Sequence, residues 1–210
     1  AAAGYYAQVM ELEARIKNEN DLIRRYREIS GYCDCDSAID EICNGAVIFE
    51  SNKPPVELNL DDLKFPNSIK TKMNDEFKSI LKLLKFNSRG YDLFRTWYVD
   101  GRLYFQILVD EANTKDGIAE LKQIDPRKIR KIKNVKKKKN PQGVDIIEGI
   151  EEYYLYNDKG ITEATVQGIK LPIDSIVYTP SGVVDSNSGL MLSYLHKAIK
   201  LVNQLKMMED

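Results

Sequence analysis

At Gly101 the apolar residues of this chain change their spacing, and no single-class fold accommodates both halves. Before it they recur at three- and four-residue steps, the mark of helices with one buried face. After it they alternate in short runs between turn residues, the period of strands. The pattern predicts an α+β fold: long helices flanking an antiparallel β module, followed by another long helix.

From Gln8 to Ile29, the residues Val9, Leu12, Ile16, Ile23 and Tyr26 share one helix face, broken only by Glu19, and Ser30-Gly31 ends the run. A short helix capped by Asp36 or Ser37 is expected to reach Asn44-Gly45. The stretches 46–50 (AVIFE) and 56–60 (VELNL) read as strands on either side of Pro54-Pro55. Asn67-Ser68 would cap a helix whose apolar face is Ile69, Met73, Phe77, Ile80, Leu81 and Leu84, and another would run from Ser88 to about Gly101. Strands are expected within 102–109, 118–124, 127–135, 146–157, 161–167 and 174–179. From Ser188 the chain is expected to be helical to its end. The aromatic residues from Tyr91 to Phe105 read as core, since no basic residues alternate regularly among them.

Charged residues make up 30% of the chain, yet the formal net charge is only -1, so any attraction to nucleic acid has to be local. No stretch has the roughly 18 uninterrupted apolar residues of a membrane span. The chain opens at Ala1 without methionine, and the run from Ser193 to Glu209 holds no helix breaker, so more protein is expected after Asp210.

The chemistry on offer is sparse. Cys33, Cys35 and Cys43 lie close together, but with the single histidine they do not make a usual zinc set and are expected to be reduced thiols. Neither a Gly-x-x-x-x-Gly-Lys-Ser/Thr nor a Gly-x-Gly-x-x-Gly loop is present to cradle phosphates. His196 stands beside Lys197 in a helical run, and nothing supports a Ser-His-Asp site around it. No cofactor or metal is implied. The enzymatic alternative is a Mg-dependent nuclease, in which Asp110 and Glu120 hold the ion and Lys122 meets phosphate charge across a hairpin.

Two further features invite a function. Arg127, Lys128, Arg130, Lys131, Lys133, Lys136, Lys137, Lys138 and Lys139 crowd one segment. The last four read as the solvated tip of a hairpin, and contact with DNA or an acidic partner, as in a DNA-binding adaptor, is the alternative. The terminal helix carries two apolar stripes, Met191, Tyr194, Ala198, Leu201, Leu205 and Met208 on one and Leu192, Leu195, Ile199 and Val202 on the other. So wide a face has to be covered from two sides, by its own domain or by neighbouring subunits.

The segments RTWYVDGRLYFQILVD (95–110), IDPRKIRKIK (124–133) and LSYLHKAIKLVNQLKMMED (192–210), with weaker likeness in DSAIDEICNGAV (36–47) and FKSILKLLKFN, resemble portal, or head-to-tail connector, proteins of T4-like phages. The resemblance covers most of the chain. It implies a non-enzymatic structural protein of the virion, assembled in the bacterial host as a twelve-subunit ring that passes double-stranded DNA during packaging and ejection. It also implies as partners the terminase motor, the major capsid protein, and scaffold and neck or tail proteins. By the same resemblance, residues 1–187 would be the peripheral wing, with 1–100 mainly helical and 101–187 β-rich, and 188–210 the truncated start of the stem helix. Some members of the family have a proline where Leu201 stands, and the pair Cys33 and Cys35 matches no feature of the family.

Overall fold

The structure is a computed structural model that describes residues 19–49, 54–113, 117–139, 145–161 and 168–209. Helix α1 covers residues 19–30, α2 Cys33–Ala46, α3 Asn67–Leu83 and α4 Phe86–Asp100. Among the described residues six strands follow: β1 Arg102–Val109, β2 Ile118–Ile124, β3 Ile129–Lys139, β4 Asp145–Tyr156, β5 Ile169–Leu171 and β6 Ile176–Pro180. Helix α5, Ala198–Glu209, comes last. The α+β expectation is met.

The strands form two antiparallel sheets of three, ordered β2-β1-β6 and β3-β4-β5. They share one core, because Tyr104, Ile124 and Ile176 of the first sheet pack against Ile129 and Tyr154 of the second. A second cluster joins Tyr26 of α1, Ile39 and Cys43 of α2, Val99 of α4 and Leu195 just before α5. Leu93, Leu103 and Phe105 form a third, with Trp97 packed against it. The aromatic corner is thus core, as expected, with Arg95 and Arg102 lying within it.

Gly101 ends α4 in the left-handed region, at φ 73°, which a residue with a side chain resists. A Cβ there would also lie 2.6 Å from the Leu192 carbonyl oxygen. The helix-to-strand corner and the entry to α5 are therefore pressed together at a point only glycine fills.

Several expectations need correction. Residues 46–49 and 56–60 are not strands: Ala46 belongs to α2 and 57–60 are irregular, because alternation makes a strand only where another edge is there to pair. Helix α2 starts at Cys33, ahead of the expected cap, with Tyr32 at the N-cap and no side-chain cap bond. Asn67 is inside α3, which Pro66 precedes as N-cap. Ser188 is in a turn; a single 3-10 turn starts at Tyr194 and regular helix at Ala198. The residue pattern at 188–193 is apolar enough for a helix, but the Met191 and Leu192 carbonyls accept from Arg102 and Ser181 instead. Lys136 to Lys139 continue β3 in register with β4 rather than forming the tip of the hairpin. Strand β5 was not anticipated. The strand expected at 161–167 and the start of the first helix, with Val9, Leu12 and Ile16, lie outside the described residues.

Candidate functional site

The entry to the terminal helix is bolted down by hydrogen bonds. Ser193, almost fully buried, accepts from the Leu195 amide at 3.0 Å and donates to the Tyr98 carbonyl at 2.9 Å. The Ser181 hydroxyl donates to the Leu192 carbonyl at 2.6 Å, and the Ser181 amide donates to the Gly101 carbonyl at 2.8 Å. The Arg102 guanidinium donates to the Met191 carbonyl. Tyr194 stacks on Tyr98 with centroids 5.3 Å apart, and its hydroxyl donates to the Ser181 carbonyl at 3.2 Å. The lone histidine has a packing role: His196 Nδ1 is 2.8 Å from the Tyr26 hydroxyl.

This anchoring sorts the two apolar stripes. Leu192, Leu195 and Val202 are buried and Ile199 packs against the same helical cluster, so this stripe is covered by its own chain. Of the other stripe, Met191 and Ala198 are half-buried while Tyr194, Leu201, Leu205 and Met208 are exposed. Leu201 is 67% exposed and Met208 83%, and Met207 beside it adds to the apolar surface. One side of α5 is thus satisfied internally, and the other offers large apolar side chains to whatever lies next to it.

The basic segment does not act as one patch. Arg130 is buried, with its Nε 3.1 Å from Glu19 Oε2 and its terminal nitrogens on the Pro126 carbonyl and Asn20 Oδ1. Burial pulls its pKa down, while Glu19 works in the other direction. Arg127 pairs with Asp125 at 2.8 Å and Lys128 with Asp158 at 2.9 Å. Lys131 and Lys133 both reach Glu152, at 2.8 Å and 3.2 Å. Five of the nine cations therefore already face carboxylates of this chain. Lys136 to Lys139 pair by backbone with Gly149 and residues 147, 146 and 145 on β4.

The nuclease set does not assemble. Glu120 stands opposite Leu108 and Lys122 opposite Gln106, while Asp110 lies past the end of β1 and uses its carboxylate on the Ala112 amide at 3.0 Å. Among the described residues no three His, Cys, Asp or Glu side chains come together to hold a metal ion. An open groove beside β2 is lined by Arg27, Arg89, Thr96, Glu120, Lys122 and Asp125 among others, so Glu120 and Lys122 border it while Asp110 does not. All three cysteines are free thiols, Cys43 buried in the helical core and Cys33 exposed.

Residues that the sequence reading missed are Glu19, Arg102, Asp100 and Arg27, which are internal ion pairs. Arg102 and Arg130, both more than nine-tenths buried, share the Glu19 carboxylate, and Asp100 takes two bonds from Arg27, at 2.9 Å and 2.7 Å. The interruption of an apolar face by Glu19 was the one available signal.

Compared with known proteins, residues 19–210 match the family described as Bacteriophage T4-like portal protein (Gp20). The chain belongs to the T4-like portal family. It is 36% identical over 200 residues to the portal protein of Vibrio phage KVP40, covering 90% of this chain. It is 29% identical over 213 residues to that of Salmonella phage ViI, covering 95% of it. In both cases the chain spans 38% of the relative's length. The family is a structural one of the phage virion, and nothing in the described residues supports the nuclease alternative.

Proposed function

We propose that this chain is the wing and the first part of the stem of a portal subunit. Residues 1–187 make the wing and 188–210 begin the stem helix. The whole protein closes into a ring, of twelve subunits in line with the family, at one vertex of the capsid. Double-stranded DNA passes through the ring during packaging and ejection without being read. The major capsid protein, the terminase motor, and scaffold and neck or tail proteins dock on it, and the assembly forms in the bacterial host. No catalysis is required of this segment, since its contribution is shape.

The observation that carries this reading is the unequal treatment of the two stripes, which run from Met191 through the 3-10 turn into α5. Leu192, Leu195 and Val202 are covered internally, while Leu201, Leu205 and Met208 are left open. A row of large apolar side chains on a helix whose other side is anchored is suited to neighbours standing alongside in a ring. The test is electron microscopy of the full-length protein beside its L201E/L205E variant. Closed rings are expected from the natural sequence and dispersed subunits from the variant. Only monomers or open filaments from the natural sequence would reject the proposal.

A further inference from the structure

Helix α3 is amphipathic, yet none of its residues is buried. Met73, Phe77 and Leu81 are half-buried, whereas Ile69 and Ile80 are exposed, as is Phe65 just before the helix. Its charge is lopsided as well. Lys70, Lys72, Lys78 and Lys82 stand against Asp75 and Glu76, with Lys64 before the helix and Lys85 after it. Among the described residues none of these lysines pairs with a carboxylate.

Helix α2 has the opposite sign. It carries Asp34, Asp36, Asp40 and Glu41 and no Lys or Arg. Arg95 of α4 takes up Asp36 and Asp40, whereas Asp34 and Glu41 are exposed and pair with no cation among the described residues. Ile42 is exposed next to Glu41, and so are Ile48 and Phe49 just past the helix.

The two helices flank α4. Tyr91 and Arg95 of α4 bond to Asp40 of α2, while Leu93 and Trp97 pack with Leu84 at the end of α3. Residues two positions apart lie on opposite faces of a helix, so α2 and α3 sit on opposite flanks of α4 and their outer faces point apart.

We infer that the cationic outer face of α3 in one copy docks on the acidic outer face of α2 in the next. The occupant follows from charge and from the apolar side chains that both faces leave open. Two α3 faces, or two α2 faces, would set like charges together, so copies meet only in the unlike sense. Because the faces lie on opposite flanks, the contact is heterologous and repeats from copy to copy until a ring closes. The open stripe of the terminal segment is bordered by Lys197, Lys200 and Lys206, the same sign as α3, and is not the surface that α3 takes. A polyanion such as DNA would satisfy the lysines but leave Ile69, Ile80 and Phe65 in water, whereas a protein face covers both. The inference rests on the ring proposed above and deepens it by naming two faces that meet away from α5.

The test uses full-length protein carrying K72E/K78E/K82E, whose α3 face is acidic, or D34K/E41K, whose α2 face is basic. Each variant alone is expected to need at least about tenfold more subunit for half-assembly at low salt, measured by analytical ultracentrifugation. Mixing the two one to one should restore rings containing both, because each acidic α3 then finds a basic α2. A chain carrying all five changes, with the polarity swapped, should assemble alone. Rings from each single variant at natural concentrations would overturn the inference while leaving the ring intact, and so would failure of the mixture together with failure of the swapped chain. K72E/K78E/K82E that assembles normally but has lost binding to double-stranded DNA or to phosphatidylglycerol vesicles would place a polyanion on α3 and overturn it as well. Absence of rings from the natural sequence would reject the ring itself.

Discussion

Glu19 breaks the apolar face of α1, and the reason lies in what surrounds it. Its carboxylate meets Arg102 of β1 at 3.3 Å and Arg130 of β3 at 3.1 Å, so one anion holds a strand from each sheet. Removing it strands two buried cations. Glu19→Gln is therefore expected to lose about 3–5 kcal/mol of stability, whereas Glu28→Gln, whose partner Arg24 is 64% exposed, should change it by less than about 1 kcal/mol. Urea unfolding of both variants checks this, and equal midpoints would remove Glu19 from its central place. Asp125 gives the pH dependence. Burial pushes its carboxyl up, but bonds from Arg127 and Arg27 outweigh that and hold it well below the usual carboxylate range. A folded pKa depressed below the unfolded value, near 3.9, adds stability that is present above about pH 4 and lost as pH falls toward the folded value. Asp125→Asn should lower the urea midpoint at neutral pH and flatten its decline below about pH 4.

At the level of elements, α5 shows how far spacing alone can be read. The double stripe was visible from Met191 to Met208, but which stripe faced inward was not, because periodicity fixes angular separation and not which neighbour arrives. The hydrogen bonds of Ser181 and Ser193 to carbonyls of other segments decide that, and they also keep 188–193 out of the helix. Strands β1 and β2 coincided with their apolar runs and pair with each other, whereas 56–60 pairs with no strand among the described residues. Leu195→Ala should destabilise by about 2–5 kcal/mol, since Leu195 is 7% exposed within the helical core. Leu201→Ala should stay within about 0.5 kcal/mol in thermal unfolding of this chain, because Leu201, 67% exposed, has little internal packing to lose. Gly101→Ala has to give up a left-handed φ and displace the Leu192 carbonyl, so it should lower stability by more than the roughly 1 kcal/mol of a simple helix-end change. Matching losses for Leu195→Ala and Leu201→Ala would mean that the stripes are not sorted as described.

At the scale of the molecule, the change of period at Gly101 correctly separated a helical half from a β-rich half, yet it said nothing about whether the halves stand or fall together. Long-range ion pairs were equally illegible, since Glu19 and Arg102 are far apart in sequence and nothing in either stretch marks the other as partner. The contacts argue for one cooperative unit. Glu19 and Arg27 of α1 reach Arg102, Arg130, Asp100 and Asp125, and the two sheets share the core around Tyr104 and Tyr154, whose rings meet edge-on at 6.1 Å. Trp97, the only tryptophan, sits in α4 between Phe94 and Tyr194, so its fluorescence reports the helical side. Tyr154→Ala removes a ring from the β core, for which a loss of about 3–5 kcal/mol is expected. If the halves are one unit, Trp97 fluorescence and far-UV circular dichroism should shift together to the same lower urea midpoint, although the substitution lies in the other half. A Trp97 transition that stays in place while the dichroism moves would make the helical and β-rich halves separate folding units, joined by ion pairs too weak to couple them.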